Sequence, residues 1–407
     1  MKSQNHFIPR PKYMQILEKT REMPMIKIII GMRRCGKSAL LEMFRDSQMD
    51  NYSEDRLYYR RFDEELEGDL PDHRKLIDDV KSKVPVEPGT LILLDEIQDV
   101  DGWERAVMTF FTSGADVYIT GSNARMLSSD LSTKLSGRFV EIEVLPLSFR
   151  EYIQFRDVSV GESDPTVLFE EYWRNGSLPA VAVLKESQTE MIPMIVSGVF
   201  NTVFVKDVLE RNNVRNVMLM NNINRYLLKN VGNRVSVKKS AGYLTSMGIK
   251  TTPATIDNYI GMLESAMLFH RAMRIDSLTS SYLMTSDKFY CNDLGIRNML
   301  VGCREADMNG ILENLVYMEL RYRYGDVSVL STGRYEVDFV VNTAKNPRYF
   351  QACYDLSETE ARTREVRSLK LLDDNYPKTI ITWLRYPLDD IDGIKVIPVT
   401  EWLLEDD

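Results

Sequence analysis

Apolar residues in the first third of the chain fall into short continuous runs, IIIG ending at Gly31, LILLD at 91–95 and ADVYIT at 115–120. Uninterrupted runs of this length read as strands of a parallel sheet covered on both faces, because a half-exposed strand would alternate apolar with polar. GWERAVMTFFTSG at 102–114 and the stretch after Lys37 instead carry apolar residues at helical spacing, and LYYRRFDEE at 57–65 reads as a further strand. Strands alternating with helices predict an α/β domain with helices on both faces of a parallel sheet.

The first of these runs leads into GMRRCGKSALL, which places Gly31, four residues, Gly36, Lys37 and Ser38 between a strand and a helix. In that context G-x-x-x-x-G-K-[ST] is a phosphate-binding loop, a P-loop, whose backbone N–H groups and helix N-terminus face an anion. Gly31 and Gly36 allow the tight turn, Lys37 reaches the terminal phosphates and Ser38 ligates Mg²⁺. The expected nucleotide contacts are Gly31, Met32, Arg33, Arg34, Cys35, Gly36, Lys37, Ser38 and Ala39, with ATP and Mg²⁺ as cofactors. Arg33 and Arg34 are expected to anchor phosphate or backbone. LLDE then brings Asp95 to the carboxyl edge of a second buried strand, where it would complete the Mg²⁺ shell with Ser38. Glu96 beside it is the candidate general base for an attacking water. After the third run come Thr120, Ser122 and Asn123, polar groups able to hydrogen-bond the γ-phosphate or that water.

Composition narrows the alternatives. The chain has 407 residues, enough for two or three domains, with 44% hydrophobic and 27% charged residues and a net charge of −9, which argues against a wholly nucleic-acid-coating surface. The four cysteines, Cys35, Cys291, Cys303 and Cys353, lie far apart with no C-x-x-C spacing, so neither a zinc site nor a disulfide framework is expected. No apolar run is read as long enough for a transmembrane helix and the start, MKSQNHFIPRPKY, lacks a signal-peptide core. The expectation is a cytoplasmic protein without a membrane partner.

GMRRCGKSALL, LLDEIQDVDGWERAV, ITGSNARML, LSGRFVEIEVLPLSFREY and NGSLPAV together resemble the bacterial and archaeal AAA-type ATPases that carry a C-terminal DUF4143 domain. The resemblance spans nearly the whole chain. It implies Mg-dependent ATP hydrolysis, a sensor at Ser122 or Asn123, and a role for Arg138 in LSGR as a guanidinium stabilising charge on the transferring phosphoryl group, within its subunit or across an interface. Three domains are expected, an ATPase domain at 1–147, a helical and winged-helix domain at 148–300, and a DUF4143-like domain at 301–407.

Past residue 148 the strand–helix alternation stops and 166–232 reads mostly as helix. SVKKSAGYLTSMG, TTPATIDNYIGMLESAMLFH, RAMRID and KFYCND then follow as helix, helix, strand, strand, a winged helix-turn-helix pattern. Its second helix has no Lys or Arg between Thr251 and His270, which disfavours base reading. Lys229, Arg234, Lys238, Lys239, Arg271 and Arg274 nearby could touch phosphates or form a solvated face.

The last region, GILENLVYMELRYR, SVLSTGRYEVDFVVN and RYFQACYDL, reads as a helix and two strands. Alternation puts Glu336 and Asp338 on one strand face. The resemblance implies a relative of the PD-(D/E)XK nucleases, in which Glu313 and Asp338 would be metal ligands while the acid-x-Lys pair has become Gln351-Ala352-Cys353. A neutral amide and a thiol replace the carboxylate and ammonium of that chemistry. Arg362, Arg364 and Lys370 are the candidate substitutes for the lysine. The partner classes left open are a protein, a weak non-specific nucleic acid, and a second copy of the chain.

Overall fold

The computed structural model describes residues 7–63, 72–123, 135, 137–160, 164–246, 248–276, 281, 286–333, 335–342, 344–357, 359–383 and 390–405. Two stretches of the motifs quoted above, Glu64–Glu65 and 124–127, lie outside the described residues, as does Ser136. The chain divides into two compact units, Met1–Pro146 with Ser265–Met267, and Leu147–Glu264 with Leu268–Asp407. The second unit therefore holds most of the residues of both later expected domains.

The first unit is built on five parallel strands, β1 (Ile26–Ile30), β2 (Leu57–Arg61), β3 (Leu91–Asp95), β4 (Asp116–Gly121) and β5 (Phe139–Glu143), in the order β2-β3-β4-β1-β5. Every residue of β1 and β3 is buried, as the continuous apolar runs require, whereas the edge strands β2 and β5 are mostly half-exposed. Helices α1 (Pro11–Lys19), α2 (Lys37–Gln48), α3 (His73–Lys83) and α4 (Trp103–Thr112) accompany the sheet. Pro11 opens α1, where its missing N–H is not needed. Asp72 caps α3 by accepting from the N–H groups of Arg74 and Lys75. Because all strands run the same way, the segments after β1, β3 and β4 emerge at one edge of the sheet.

The second unit begins with helices Phe149–Val160, Pro165–Asn175 and Ile192–Thr202, the last running into a π-helical stretch at Val203–Glu210. The helix Glu186–Glu210, 25 residues, is long and apolar enough by length and composition to cross a membrane, which corrects the expectation that no such segment exists. Lys206 and Asp207 interrupt its apolar character in the sequence. In the fold it packs Val196, Val199, Phe200, Val203, Phe204 and Val208 into the unit's interior. The NGSLPAV turn is anchored by Asp293, which accepts from Ser177 N at 2.7 Å and Ser177 Oγ at 3.1 Å and also caps the helix Leu294–Val301.

Next come helix Val217–Lys229, strand β6 (Arg234–Val235), helices Val237–Ser246 and Pro253–Ser265, and strands β7 (Phe269–Ala272), β8 (Arg274–Asp276) and β9 (Asp287–Cys291). Strands β6, β9 and β7 form a three-stranded antiparallel sheet. Helix Met308–Tyr324 then precedes β10 (Val327–Thr332), β11 (Tyr335–Val341), β12 (Arg348–Cys353), helix Thr359–Lys370, β13 (Lys378–Thr382) and β14 (Lys395–Pro398). Their sheet has the order β14-β13-β12-β11-β10-β8, with β11 antiparallel to both β10 and β12 and with β12, β13 and β14 parallel. SVLSTGRYEVDFVVN is thus a hairpin rather than one strand, because Gly333 takes φ +72° at the turn.

Candidate functional site

The loop between β1 and α2 has the backbone of an anion cradle. A Cβ on Gly31 would lie 2.4 Å from Val144 O and 2.7 Å from Cys35 Sγ, so only glycine fits. Arg34 and Gly36 both have positive φ, 68° and 103°. Gly36 occupies the N-cap of α2 without offering a side-chain acceptor, which leaves the first N–H groups of the helix free of a side-chain cap. The loop is held from behind by buried Arg10, which donates to Cys35 O at 3.1 Å, Leu145 O at 2.9 Å and Pro146 O at 3.2 Å. Arg10 was not singled out in the sequence, since nothing in a lone Arg-Pro marks it as a loop anchor, and residues 144–146 entered only as part of the longer motif LSGRFVEIEVLPLSFREY.

Lys37 is buried and donates to Gly31 O at 3.0 Å and Met32 O at 3.3 Å, and it pairs with Glu96 Oε1 at 3.3 Å. Burial alone would lower its pKa, but Glu96 and the other anionic groups around it outweigh that and hold it above the ordinary lysine value. Glu96 sits in the left-handed region, φ 55°, directly after β3. Burial opposes its ionisation, yet Lys37, a 2.6 Å hydrogen bond from Gln98 Nε2 and the nearby Arg33 charge bring its pKa below the usual range. Both members of the pair are therefore charged in this arrangement.

Asp95 is fully buried, and Thr120 at the end of the intervening strand β4 joins the two acids by donating to Asp95 Oδ1 at 2.5 Å and accepting from Glu96 N at 2.8 Å. Ser38 also hydrogen-bonds the Asp95 carboxyl, while burial is the main cause of its raised pKa. Asp95 Oδ2 has no hydrogen-bond partner, the Arg61 guanidinium standing at 3.6 Å. Ser122 Oγ is likewise buried without a hydrogen bond, and Asn123 is buried beside it. A glycine-only cradle, a bare helix N-terminus, a buried ammonium and a carboxylate oxygen with spare acceptor capacity next to Ser38 match the donor set that a nucleoside triphosphate with Mg²⁺ requires.

Arg138 stands apart. Its carbonyl accepts from Ile26 N at 2.9 Å, so it lies where β1 and β5 begin, whereas the phosphate loop follows the end of β1. About 3.3 Å of rise per residue over β1 puts the two at opposite edges of the sheet, beyond the reach of one arginine side chain. The within-subunit role expected for Arg138 is corrected on that ground; its side chain is exposed.

A second polar site lies wholly in the second unit, a recess of about 350 Å³ that includes Arg234, Lys288, Glu313, Glu336, Asp338, Gln351 and Glu365. Glu313 and Asp338 do converge, but on a residue the sequence reading passed over. Lys288 Nζ is 2.7 Å from Glu313 Oε1, 3.0 Å from Glu336 Oε1 and 3.0 Å from Asp338 Oδ1. Its signal was a lysine following Asp287 at the start of the strand DKFYC, with Tyr290 on the same face. Tyr290 donates to Glu313 at 2.6 Å. Gln351 accepts from Asp338 N and donates to Glu365, and Cys353 turns away to donate to Asp355 O. Of the candidate substitutes for the missing lysine, Arg364 pairs with Glu365, Arg362 donates to Leu356 O and Lys370 pairs with Asp392.

The basic residues that could have formed a phosphate-touching face are partly consumed. Arg271 is paired with Glu264 at 2.8 Å and with Asp257 and Asp287 at 3.4 Å, and Arg234 with Glu336 at 2.7 Å.

Residues 24–153 match the family model of an AAA domain, AAA_14, and residues 166–307 match that of a domain of unknown function, DUF8612, where the resemblance had implied DUF4143. An uncharacterized protein of Haemophilus influenzae is 36% identical over 404 residues, covering 98% of this chain and 99% of its own. Another, from Methanocaldococcus jannaschii, is 28% identical, covering 93% of this chain and 88% of its own. Among solved structures, a Walker-type ATPase of Pyrococcus abyssi shares the fold with a TM-score of 0.51 at 15% identity, over 73% of this chain and 97% of that one.

Proposed function

From the premise that this chain belongs to the same family as the Haemophilus influenzae protein and carries an AAA domain at residues 24–153, we propose that it binds ATP at Gly31–Ala39 and hydrolyses its γ-phosphate, using the nucleotide state to change conformation or partner binding. The observation that carries this reading is the joining of Asp95 and Glu96 by Thr120 at one sheet edge, with Lys37 paired to Glu96. Lys37 and the N–H groups of the loop bind the phosphates, and Ser38 and Asp95 are the residues that would hold Mg²⁺. Bound Mg²⁺ supplies charge neutralisation at the phosphate oxygens. Glu96 orients the water and takes its proton, and Ser122 or Asn123 senses the terminal phosphate.

For Glu96 to act as base it must give up its contacts with Lys37 and Gln98, and this favours slow basal turnover awaiting a trigger. Arg138, at the far sheet edge, is assigned to the loop of a neighbouring subunit, which makes a homo-oligomer the working form. Two finer readings accompany this one. The order helix, β6, helix, helix, β7, β9 with a three-stranded antiparallel sheet supports a winged helix at 217–291. The order helix, β10, β11, β12, helix, β13 supports a nuclease-like α/β core at 308–382.

ATP binding and turnover by purified Lys37→Ala and Glu96→Gln proteins test the central claim. Lys37→Ala is expected to lose binding, and Glu96→Gln to keep binding while turnover falls by about 10²- to 10⁴-fold. Wild-type turnover by Glu96→Gln would remove the general-base assignment. Mixing Glu96→Gln with Arg138→Ala subunits should restore part of the activity, and no recovery would remove the cross-subunit role.

A further inference from the structure

The recess beneath Lys288 has the carboxylates of a metal site but the dimensions and charge balance of something else. An ammonium has three N–H donors, and Lys288 directs them at three carboxyl groups, at 2.7, 3.0 and 3.0 Å. Those are hydrogen-bond lengths; oxygens around Mg²⁺ stand at about 2.0–2.1 Å and around Ca²⁺ at about 2.3–2.6 Å, so the cup is spaced for nitrogen rather than a metal ion. Each acid also has a cation of this chain close by. Glu336 is held by Arg234 at 2.7 Å and by buried Arg274 at 3.4 Å as well as by Lys288, and Glu365 is held by Arg364 at 2.7 Å. A divalent ion entering here would meet the charges of Lys288, Arg234 and Arg274 and would have to displace Lys288. Among the described residues no group of three or more His, Cys, Asp or Glu is arranged to hold a metal.

We propose that this pocket is a cation site whose cation is built into the chain: the Lys288 ammonium, carried in on β9, occupies the centre of Glu313, Glu336 and Asp338 and keeps divalent ions out. The inference deepens the nuclease-like reading of this region and rests on it. Lys288 acts as a resident counter-ion that clamps β9 to the helix Met308–Tyr324 and to β11. The acids remain oriented without it, since Asp338 Oδ2 also accepts from Ala352 N at 3.1 Å and Glu313 from Tyr290. Removing the lysine therefore leaves oriented acids that can draw in around a divalent ion such as Mn²⁺.

The test is Mn²⁺ binding without nucleotide, read by the electron paramagnetic resonance signal of the free ion, on the full-length wild type, Lys288→Met, Lys288→Met with Asp338→Asn, and Asp338→Asn alone. Lys288→Met is expected to bind Mn²⁺ on the order of tenfold or more tighter than wild type, and the added Asp338→Asn to abolish the gain. Its melting temperature should rise with Mn²⁺ while that of wild type does not. Lys288→Gln, which keeps two donors for the acids, is the second variant should the methionine protein not fold. Mn²⁺ bound by wild type and lost in Asp338→Asn overturns the built-in cation and leaves the nuclease-like reading standing. No Mn²⁺ bound by either folded Lys288 variant overturns both, because the acids then make no cation cup.

Discussion

Lys37 in the first unit and Lys288 in the second are both buried ammonium groups facing carboxylates, yet their surroundings differ in kind. Lys37 spends its donors on two backbone carbonyls of a loop that only glycine can form and on one carboxylate that Gln98 also holds. These are partners it can exchange for phosphate oxygens. Lys288 spends its donors on three acids at once, Glu313, Glu336 and Asp338. A lysine on a loop at a sheet edge is a ligand in waiting, and one inserted into a three-acid cup is a fixture. Burial and charge alone do not separate the two; the identity of the partners does.

The largest expected effect tests that contrast on stability. Lys288→Met should cost about 3–5 kcal/mol, since it strips buried Glu313 and Asp338 and half-buried Glu336 of their shared partner. Lys37→Met should cost clearly less, because Glu96 keeps its hydrogen bond from Gln98 and its attraction to Arg33. Urea unfolding of both variants without nucleotide decides it, and equal losses would erase the distinction.

A smaller effect concerns the restraint on Glu96. Gln98→Ala should raise basal ATP turnover on the order of tenfold, the equivalent of about 1.4 kcal/mol, with the ATP concentration for half-saturation little changed. A fall in turnover would instead assign Gln98 to holding Glu96 in its working position.

The smallest effect is a pH slope. Burial, joined by the Asp338 charge and opposed by Lys288, pushes the Glu313 carboxyl from an ordinary 4.5 up to about 8. The folded state thus holds this proton more tightly than the unfolded chain does. Its contribution to stability is present in full below about pH 4.5 and is lost as pH rises through about 8. Glu313→Gln should flatten that part of the stability profile, measured by urea midpoints from pH 5 to 8.5, whereas an unchanged slope would place the titration elsewhere.

The proposed nucleotide site was legible before the structure because its chemistry is local. Gly31, Gly36, Lys37 and Ser38 lie within eight consecutive residues, and continuous apolar runs announced the buried strands that aim Asp95 and Glu96. The hairpin at Gly333 was missed because the short polar segment 331–336 around the glycine was not read as a turn. The membrane-length helix Glu186–Glu210 was missed because Lys206 and Asp207 masked its apolar character.

Residue identity over short spans settled the phosphate loop, the paired acids and the central strands, since backbone conformation and burial there follow from neighbours in the chain. Strand pairing placed Arg138 at the far sheet edge, and hydrogen bonds to the carbonyls of Cys35 and Leu145 placed Arg10 behind the loop, contacts that no local pattern encodes. The same holds for Lys288, which meets Glu313 across 25 residues and Asp338 across 50. A charge in an apolar strand reads as an anomaly in one dimension. Folding resolves it by bringing distant carboxylates to the ammonium, because a buried charge is tolerated only with its counter-charges in hydrogen-bond contact.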